Sequence, residues 1–488
     1  MVLYISFSTF KGDKHMNSKY KNLGKNTIIF AISSFGTKIL SFLLVPLYTA
    51  VLTTEEYGAA DLITTTAMLL VFVLTINISS SVLRFTIEQR NHGQNILSFG
   101  FRVLMIGTLI CGFLLALVYA CDFLEWPVYY YFFVVMYFFA TAFYEMMSSY
   151  LRAINRLKEV AFAGIIASIT MIIGNIIFLL GIKIGILGYL ISIVLGPLVA
   201  AIFCMFIAKE PLRTYFVVNC PKSLKREMVV YCVPLIFNNI ALWINAFLDR
   251  YFVTYYCGVS ENGIYSVASK IPTILATCYS VFASAWSLSA IIEFDSEDKD
   301  GFFSNTYNTY GALMTMVCSF IVLFNIPLAR FLYSKDFFVA WRYSSVLLLS
   351  VMFNTFTVFQ GSIFSAAKNT KAIATTTIIS AAVNTILNIA LIPVMGAIGA
   401  AIATAVAYFV MWLVRYVFSK KFITMRIDIR KDILIYAIIT VQIIFEHLEN
   451  HFYPGQIMCL LAVVLLNWKY LKTIIMVLTR KMKYGKDK

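Results

Sequence analysis

Apolar residues gather in blocks of about 20 or more, separated by short polar stretches, and blocks of that length cross a hydrocarbon core of about 30 Å as helices. Fourteen spans are predicted. Six run over residues 26–52, 59–87, 96–120, 128–151, 160–182 and 184–208, and six more over 228–256, 263–292, 306–324, 339–366, 373–392 and 397–418. A last pair covers 433–448, which is short, and 456–478, which is interrupted by Lys469 and Lys472. The weak ten-residue alternation of a membrane β-barrel is absent. The predicted fold class is an all-α polytopic membrane protein with about 14 transmembrane helices.

Composition agrees: 60% of the 488 residues are hydrophobic and 13% charged, against about 25% charged in soluble proteins. The net charge of +15 does not point to nucleic acid, because the Lys and Arg lie in short loops, where they set membrane orientation. With a cytoplasmic N-terminus, 30 of the 39 Lys and Arg are counted to the inner side, 27 in its loops and tails and three (Arg415, Lys469, Lys472) within spans that end there. Four fall outside (Lys183, Arg330, Lys335, Arg342), and Lys38, Arg84, Arg102, Arg250 and Lys270 lie within spans. The acidic stretch "EFDSEDKD" runs against this trend on the inner side, but acidic residues weigh little in the rule. Both termini are expected in the cytoplasm, and the location expected is a bacterial plasma (inner) membrane. The nine cysteines show no paired spacing and read as buried small apolar residues. The first residues lack a basic stretch ahead of the apolar one and a cleavage site, so no cleaved signal peptide is expected, and Met1 and Met16 both stand as starts.

The chain repeats itself. "LTTEEYGAADL" around Gly58 matches "GVSENGIYSVA" around Gly263, 205 residues on, and "RAINRLKEVAF" matches "SAAKNTKAIAT". Lys158 and Asn175 fall on Lys371 and Asn388, and Gly185 and Gly188 on Gly396 and Gly399. A repeat of six helices enters the membrane from the same side twice, so its two copies are related by an axis along the membrane normal. The predicted organisation is a cytoplasmic tail (1–25), an N-lobe of helices 1–6 (26–208) and a basic cytoplasmic linker (209–227). A C-lobe of helices 7–12 (228–418), a second linker (419–432), helices 13 and 14 (433–478) and a tail (479–488) follow.

On these residues the chain resembles the polysaccharide and oligosaccharide flippases of the multidrug/oligosaccharidyl-lipid/polysaccharide exporter superfamily. The likeness rests on "PLYTAVLTTEEYGAADL" and "VPLIFNNIALWINAFLDRYFVTYYCGVSENGIYSVASKI", with Leu52, Thr53, Tyr57 and Gly58 in the first and Asp249, Arg250, Gly258, Gly263, Tyr265 and Ser266 in the second. The resemblance implies a flippase, not an enzyme, which moves an undecaprenyl-diphosphate-linked oligosaccharide from the cytoplasmic to the outer leaflet. It implies a place in O-antigen, capsule or exopolysaccharide synthesis. The implied partners are the lipid-linked oligosaccharide and membrane lipids, with a polysaccharide polymerase and glycosyltransferases beside it.

An anionic headgroup crossing the membrane is served by cations in a wet cleft. The candidates for its phosphates are Lys38, Arg84, Arg250 and Lys270. Lys38 is set against snorkelling, and Arg84 against an i,i+4 pair with Glu88. Arg102, near the inner surface, reads as topology, with Glu145 as a partner for Arg84 or Arg102. Asp249, Arg250 and Lys270 lie about 10–13 Å below one outer turn. Asp249 is expected to neutralise Lys270 or another cation while Arg250 or Lys270 faces the cleft, against a closed ion pair that fixes two helices in register. Pro46, Pro234 and Pro272 are hinge candidates, with Pro197 a further kink. No cofactor or metal is expected. Proton or sodium coupling through Asp249 or Glu145, and the membrane potential alone, stand open as drivers.

"EHLENH" sets His447 and His451 four residues apart, but Leu448 stands where a metalloprotease helix needs Glu. It reads as an outer-interface loop. The rival readings are a cation-coupled multidrug exporter of the same superfamily and a membrane glycosyltransferase or polymerase. The five intramembrane cations count against the first and the short outer loops against the second.

Overall fold

The computed structural model describes residues 42–122, 126–216 and 218–472, and among them it holds helices and no strand. Lys38, most of the first span and both tails lie outside the described residues. In chain order the helices are α1 (Val45–Val51), α2 (Thr54–Leu74), α3 (Ile78–Glu88), α4 (Gly93–Ala120), α5 (Val128–Ala153) and α6 (Leu157–Asn175). Next come α7 (Ile186–Ala208), α8 (Leu212–Phe216), α9 (Lys222–Cys257), α10 (Val259–Ala268), α11 (Pro272–Ile292) and α12 (Phe302–Leu323). The rest are α13 (Asn325–Leu332), α14 (Trp341–Ala366), α15 (Thr370–Met395), α16 (Ala397–Ser419), α17 (Ile429–His447) and α18 (Tyr453–Leu466). Ten helical segments of the described residues are long and apolar enough to cross a membrane, so the chain is a multi-pass membrane protein.

The sequence repeat is legible in the backbone. α5 and α14 share both boundaries at an offset of 213, and α7 and α16 do so at 211. Gly185 and Gly396 open α7 and α16 with φ of 57° and 65° and ψ of −136° and −151°, a region that only glycine enters at low cost. Asn175 and Asn388 are both fully buried. α5, α6 and α7 pack together, and so do α14, α15 and α16.

Two predicted spans are each broken into two helices. Span 59–87 stops at Leu74 and restarts at Ile78, with Ile76 and Asn77 in the left-handed region. Asn adopts that conformation readily and a β-branched Ile does not. Span 263–292 breaks at residues 269–271, where Pro272 has no N–H to give the carbonyl of Ala268. Ser344 Oγ donates to that carbonyl instead (2.9 Å), and Tyr333 OH donates to Val267 O (3.1 Å). Side chains of α14 and of the residue after α13 thus supply donors to the carbonyls at the break.

Among the described residues the chain divides into two compact units, one of residues 42–254 and 258–263, the other of 255–257 and 264–472. The division falls later than the predicted linker, and α9, assigned by sequence to the C-lobe, is folded with the first unit. Polar bonds to α2 and to the break before α3 explain this. Trp243 Nε1 donates to Thr65 O (3.1 Å), Thr66 Oγ1 and Tyr251 OH are 2.7 Å apart, and Cys232 Sγ reaches Asn77 O (3.5 Å). α9 also begins at Lys222, which shortens the linker. What remains is strapped to α4: Arg102 donates to Asn219 Oδ1 (3.0 Å), Phe216 O (3.2 Å) and Val218 O (2.9 Å), and Asn95 Nδ2 to Asn219 O (2.6 Å).

Candidate functional site

α2 starts at a capping box, in which Thr53 Oγ1 accepts from Glu56 N (3.1 Å) and Glu56 Oε2 accepts from Thr53 N (2.9 Å). This fixes the helix start and sets Gly58 one turn in, where α2 meets α10 backbone to backbone. A Cβ on Gly58 would overlap Val259 O, and one on Gly263 would overlap Thr54 O. The two glycines that align in the sequence repeat are thus the two that meet. Thr54 Oγ1 and Ser260 Oγ close the contact at 2.7 Å, and Asn262 Nδ2 donates to Gly58 O (3.3 Å).

One turn deeper, Asp61 of α2 makes an ion pair with Arg250 of α9, through Oδ1 and Nη1. Each side chain is 12% exposed. The Asp61 main-chain carbonyl accepts the hydroxyls of Thr64 (2.9 Å) and Thr65 (2.8 Å), and the phenol of Tyr57 lies in its electrostatic reach. The Arg250 guanidinium sits 4.9 Å from the centre of the Phe247 ring, a favourable cation–π placement. Asp249, also buried, turns its Oδ1 to the Arg250 amide (3.0 Å). Tyr48, Tyr57 and Tyr189 cluster beside the pair, with ring centroids 4.8–6.5 Å apart. The site is thus a guanidinium neutralised by one carboxylate, wrapped in aromatic faces and hydroxyls. Such a group exchanges one oxyanion for another at small electrostatic cost.

The carboxylate that neutralises Arg250 is Asp61, which the sequence reading quoted in its motif but did not single out. The signal was an acid inside a predicted span. Arg84 pairs with Glu88 (2.9 Å), with half of each side chain exposed, and its guanidinium lies 4.6 Å from the Tyr231 ring centre. Glu145, expected to partner Arg84 or Arg102, pairs with neither among the described residues. Arg84 is taken by Glu88 and Arg102 by the linker, and the cation acting on Glu145 is Arg152 of its own helix, two turns on. Lys270, half-buried, sits in the break between α10 and α11 in the second unit, its amide on Val267 O (2.9 Å). Pro46 stands at the start of α1, Pro272 opens α11, and Pro234 lies inside an unbroken α9.

A second cation was missed in the second unit. Arg415 lies inside the twelfth span but was counted with the inner loop three residues on. It is 5% exposed, and its guanidinium donates to Thr376 Oγ1 (2.9 Å), Thr357 O (2.6 Å) and Thr377 Oγ1 (3.1 Å). It clasps α14, α15 and α16 through neutral acceptors.

Several solved structures share the fold. "Lipid II flippase MurJ, inward closed conformation" has a TM-score of 0.68 at 18% identity, over 92% of this chain and 100% of that one. An inward-facing multidrug resistance MATE family transporter of the MOP superfamily has a TM-score of 0.62 at 14% identity, over 79% of this chain and 95% of that one. A MOP superfamily transporter from Pyrococcus furiosus, described as having a binding pocket of reverse polarity, has a TM-score of 0.57 at 14% identity, over 82% and 96%. No curated protein matches the sequence. Residues 23–287 match the family described as "Polysaccharide biosynthesis protein". That match spans more than half of the chain, which therefore belongs to the polysaccharide biosynthesis protein family and has the fold of the MOP-superfamily transporters.

Proposed function

We propose that this protein flips an undecaprenyl-diphosphate-linked oligosaccharide repeat unit from the cytoplasmic to the outer leaflet of a bacterial inner membrane, for O-antigen, capsule or a similar surface polysaccharide. The observation that carries the reading is the Asp61–Arg250 pair in a member of a polysaccharide biosynthesis family. The lipid tail stays in the bilayer while the diphosphate crosses it. Arg250 is the group that takes a phosphate oxygen, with Asp61 holding it neutral when no substrate is present. Outward movement of each negative charge gains about 2.3 kcal/mol per 100 mV of inside-negative potential. The loop charges support a cytoplasmic place for both termini.

The test is a chromosomal deletion, followed by analysis of the lipid-linked glycan and the surface polysaccharide. The deletion strain accumulates the lipid-linked repeat unit and loses the polymer. Wild type restores export, Arg250→Lys restores part of it and Arg250→Ala restores none at equal membrane abundance. A deletion strain with intact surface glycan and heightened sensitivity to organic cations would instead establish the multidrug exporter reading.

A further inference from the structure

Glu446, on α17 close to its C-terminus, is fully buried in the second unit. Its Oε1 accepts Asn325 Nδ2 at 2.7 Å, and the same nitrogen donates to Trp341 O (2.9 Å). Those two acceptors fix which end of the Asn325 amide is nitrogen, since turning it over would set its oxygen against two other oxygens. Among the described residues three buried atoms are then left over: Asn325 Oδ1, Glu446 Oε2 and the hydroxyl of Ser345, which lies against the carboxyl. They come from α13, α17 and α14. An amide already giving its nitrogen to one carboxyl oxygen, with its own oxygen short of a donor, is the partner of a carboxylic acid and not of a carboxylate. A carboxylate there would be desolvated and without counter-charge.

The charged and titratable groups on the elements around it do not neutralise it. His447 sets Nδ1 on Ile443 O (2.9 Å) and Nε2 on Arg342 O (3.1 Å), and His451 sets Nδ1 on the main-chain carbonyl of Glu446 (2.9 Å). The Arg342 guanidinium lies 5.8 Å from the Trp341 ring centre, and Arg330 of α13 is exposed. The same elements carry Tyr343 of α14, Cys318, Tyr307 and Tyr310 of α12, Tyr453 and Cys459 of α18, and Arg430, Lys431, Asp432 and Tyr436 toward the other end of α17. None of these forms an ion pair with Glu446 among the described residues.

We propose that Glu446 is a proton-binding site, with the acid's O–H given to Asn325 Oδ1 and the Ser345 hydroxyl free to donate to the carboxyl. One hydrogen supplies the donor that the amide oxygen lacks. The site lies at the start of the stretch 446–451 that reads as the outer interface, against a turn whose Asn450 and His451 are held in left-handed backbone (φ 63° and 55°). This is the position from which a proton exchanges with the outer medium. Resting on the flippase reading, Glu446 is then the group through which export is coupled to the proton gradient, in place of Asp249 or Glu145.

Infrared spectroscopy of the full-length protein in lipid nanodiscs tests the site without any substrate. The expected spectrum contains a carbonyl band of a protonated acid, sensitive to deuterium exchange. The band disappears in Glu446→Gln and moves in Asn325→Leu, which removes its hydrogen-bond partner. An acid region unchanged in Glu446→Gln overturns the proposal, as does a band that sodium ions erase. If Glu446→Gln does not fold, Asn325→Leu decides alone, an unmoved band being the negative result. Coupling is read separately: Glu446→Gln lowers glycan export and removes its dependence on external pH. Unchanged pH dependence overturns the coupling, whereas a wild-type protein that exports no glycan overturns the flippase reading and leaves the infrared result standing.

Discussion

Removing one member of the Asp61–Arg250 pair strands the other in a site that is 12% exposed. At an effective dielectric of about 20, unit charges about 4 Å apart attract by about 4 kcal/mol. Desolvation takes back part of this, and breaking a buried pair typically costs about 3–5 kcal/mol because a lone charge stays behind. Asp61→Asn and Arg250→Gln should therefore each destabilise the first unit by about 3 kcal/mol, the double variant losing little more than either single one. The coupling energy expected from the cycle is about 2 kcal/mol or larger. Unfolding of the purified variants by SDS in mixed micelles measures it, followed by tryptophan fluorescence. Trp243 donates to Thr65, one turn beyond Asp61, and reports on the same contact. The Arg84–Glu88 pair, half exposed, is the internal control and should show no coupling above the noise. Single-variant effects at Asp61 and Arg250 that add to within about 0.5 kcal/mol would refute the idea that the two charges depend on each other.

Three further outcomes follow from the geometry. Gly263→Ala sets a methyl against Thr54 O and should sharply lower the thermal midpoint, whereas Gly112→Ala, with nothing within 4 Å, should gain up to about 1 kcal/mol of helix propensity. Arg415→Lys should be less stable than Arg415→Met in the same thermal assay, because lysine keeps the buried charge and loses the three-way fork while methionine removes the charge. Asp432, just before the thirteenth span, accepts from Tyr307 OH (3.2 Å), and burial raises its pKa from 3.8 to about 6. A raised acid stabilises the fold below its unfolded pKa, and that contribution is lost as pH rises through the folded one. Asp432→Asn should thus flatten the stability profile between about pH 4 and 6 and gain about 2 kcal/mol at pH 8, measured by thermal unfolding across pH.

Helix positions were legible because an apolar block in a membrane has few alternatives to a helix. The repeat was legible too, since Gly185 and Gly396 hold a backbone shape that other residues resist. The two breaks at 75–77 and 269–271 were not, because apolar residues flank both and hydropathy does not see backbone hydrogen bonds. Arg250 was singled out as a cation within a span, but its partner lies 189 residues away on another helix, a distance that no local pattern spans. Arg415 was hidden by its nearness to a basic loop. Glu446 was hidden inside a stretch read as an interface loop, where its neighbouring histidines drew attention to metals instead. Lys38 lies outside the described residues.

The lodging of α9 carries an evolutionary lesson. A gene made by doubling a six-helix ancestor encodes α9 as the opening helix of its second copy, yet the protein shelves that helix in the first. Splitting the reading frame at the old junction would leave one fragment with an unfilled berth and the other with a stray hydrophobic rod. The two folded bodies part between Thr254 and Ile264, where the end of α9 and the start of α10 lie. A mutation on the buried face of α9 therefore acts on a surface encoded in the first half of the gene.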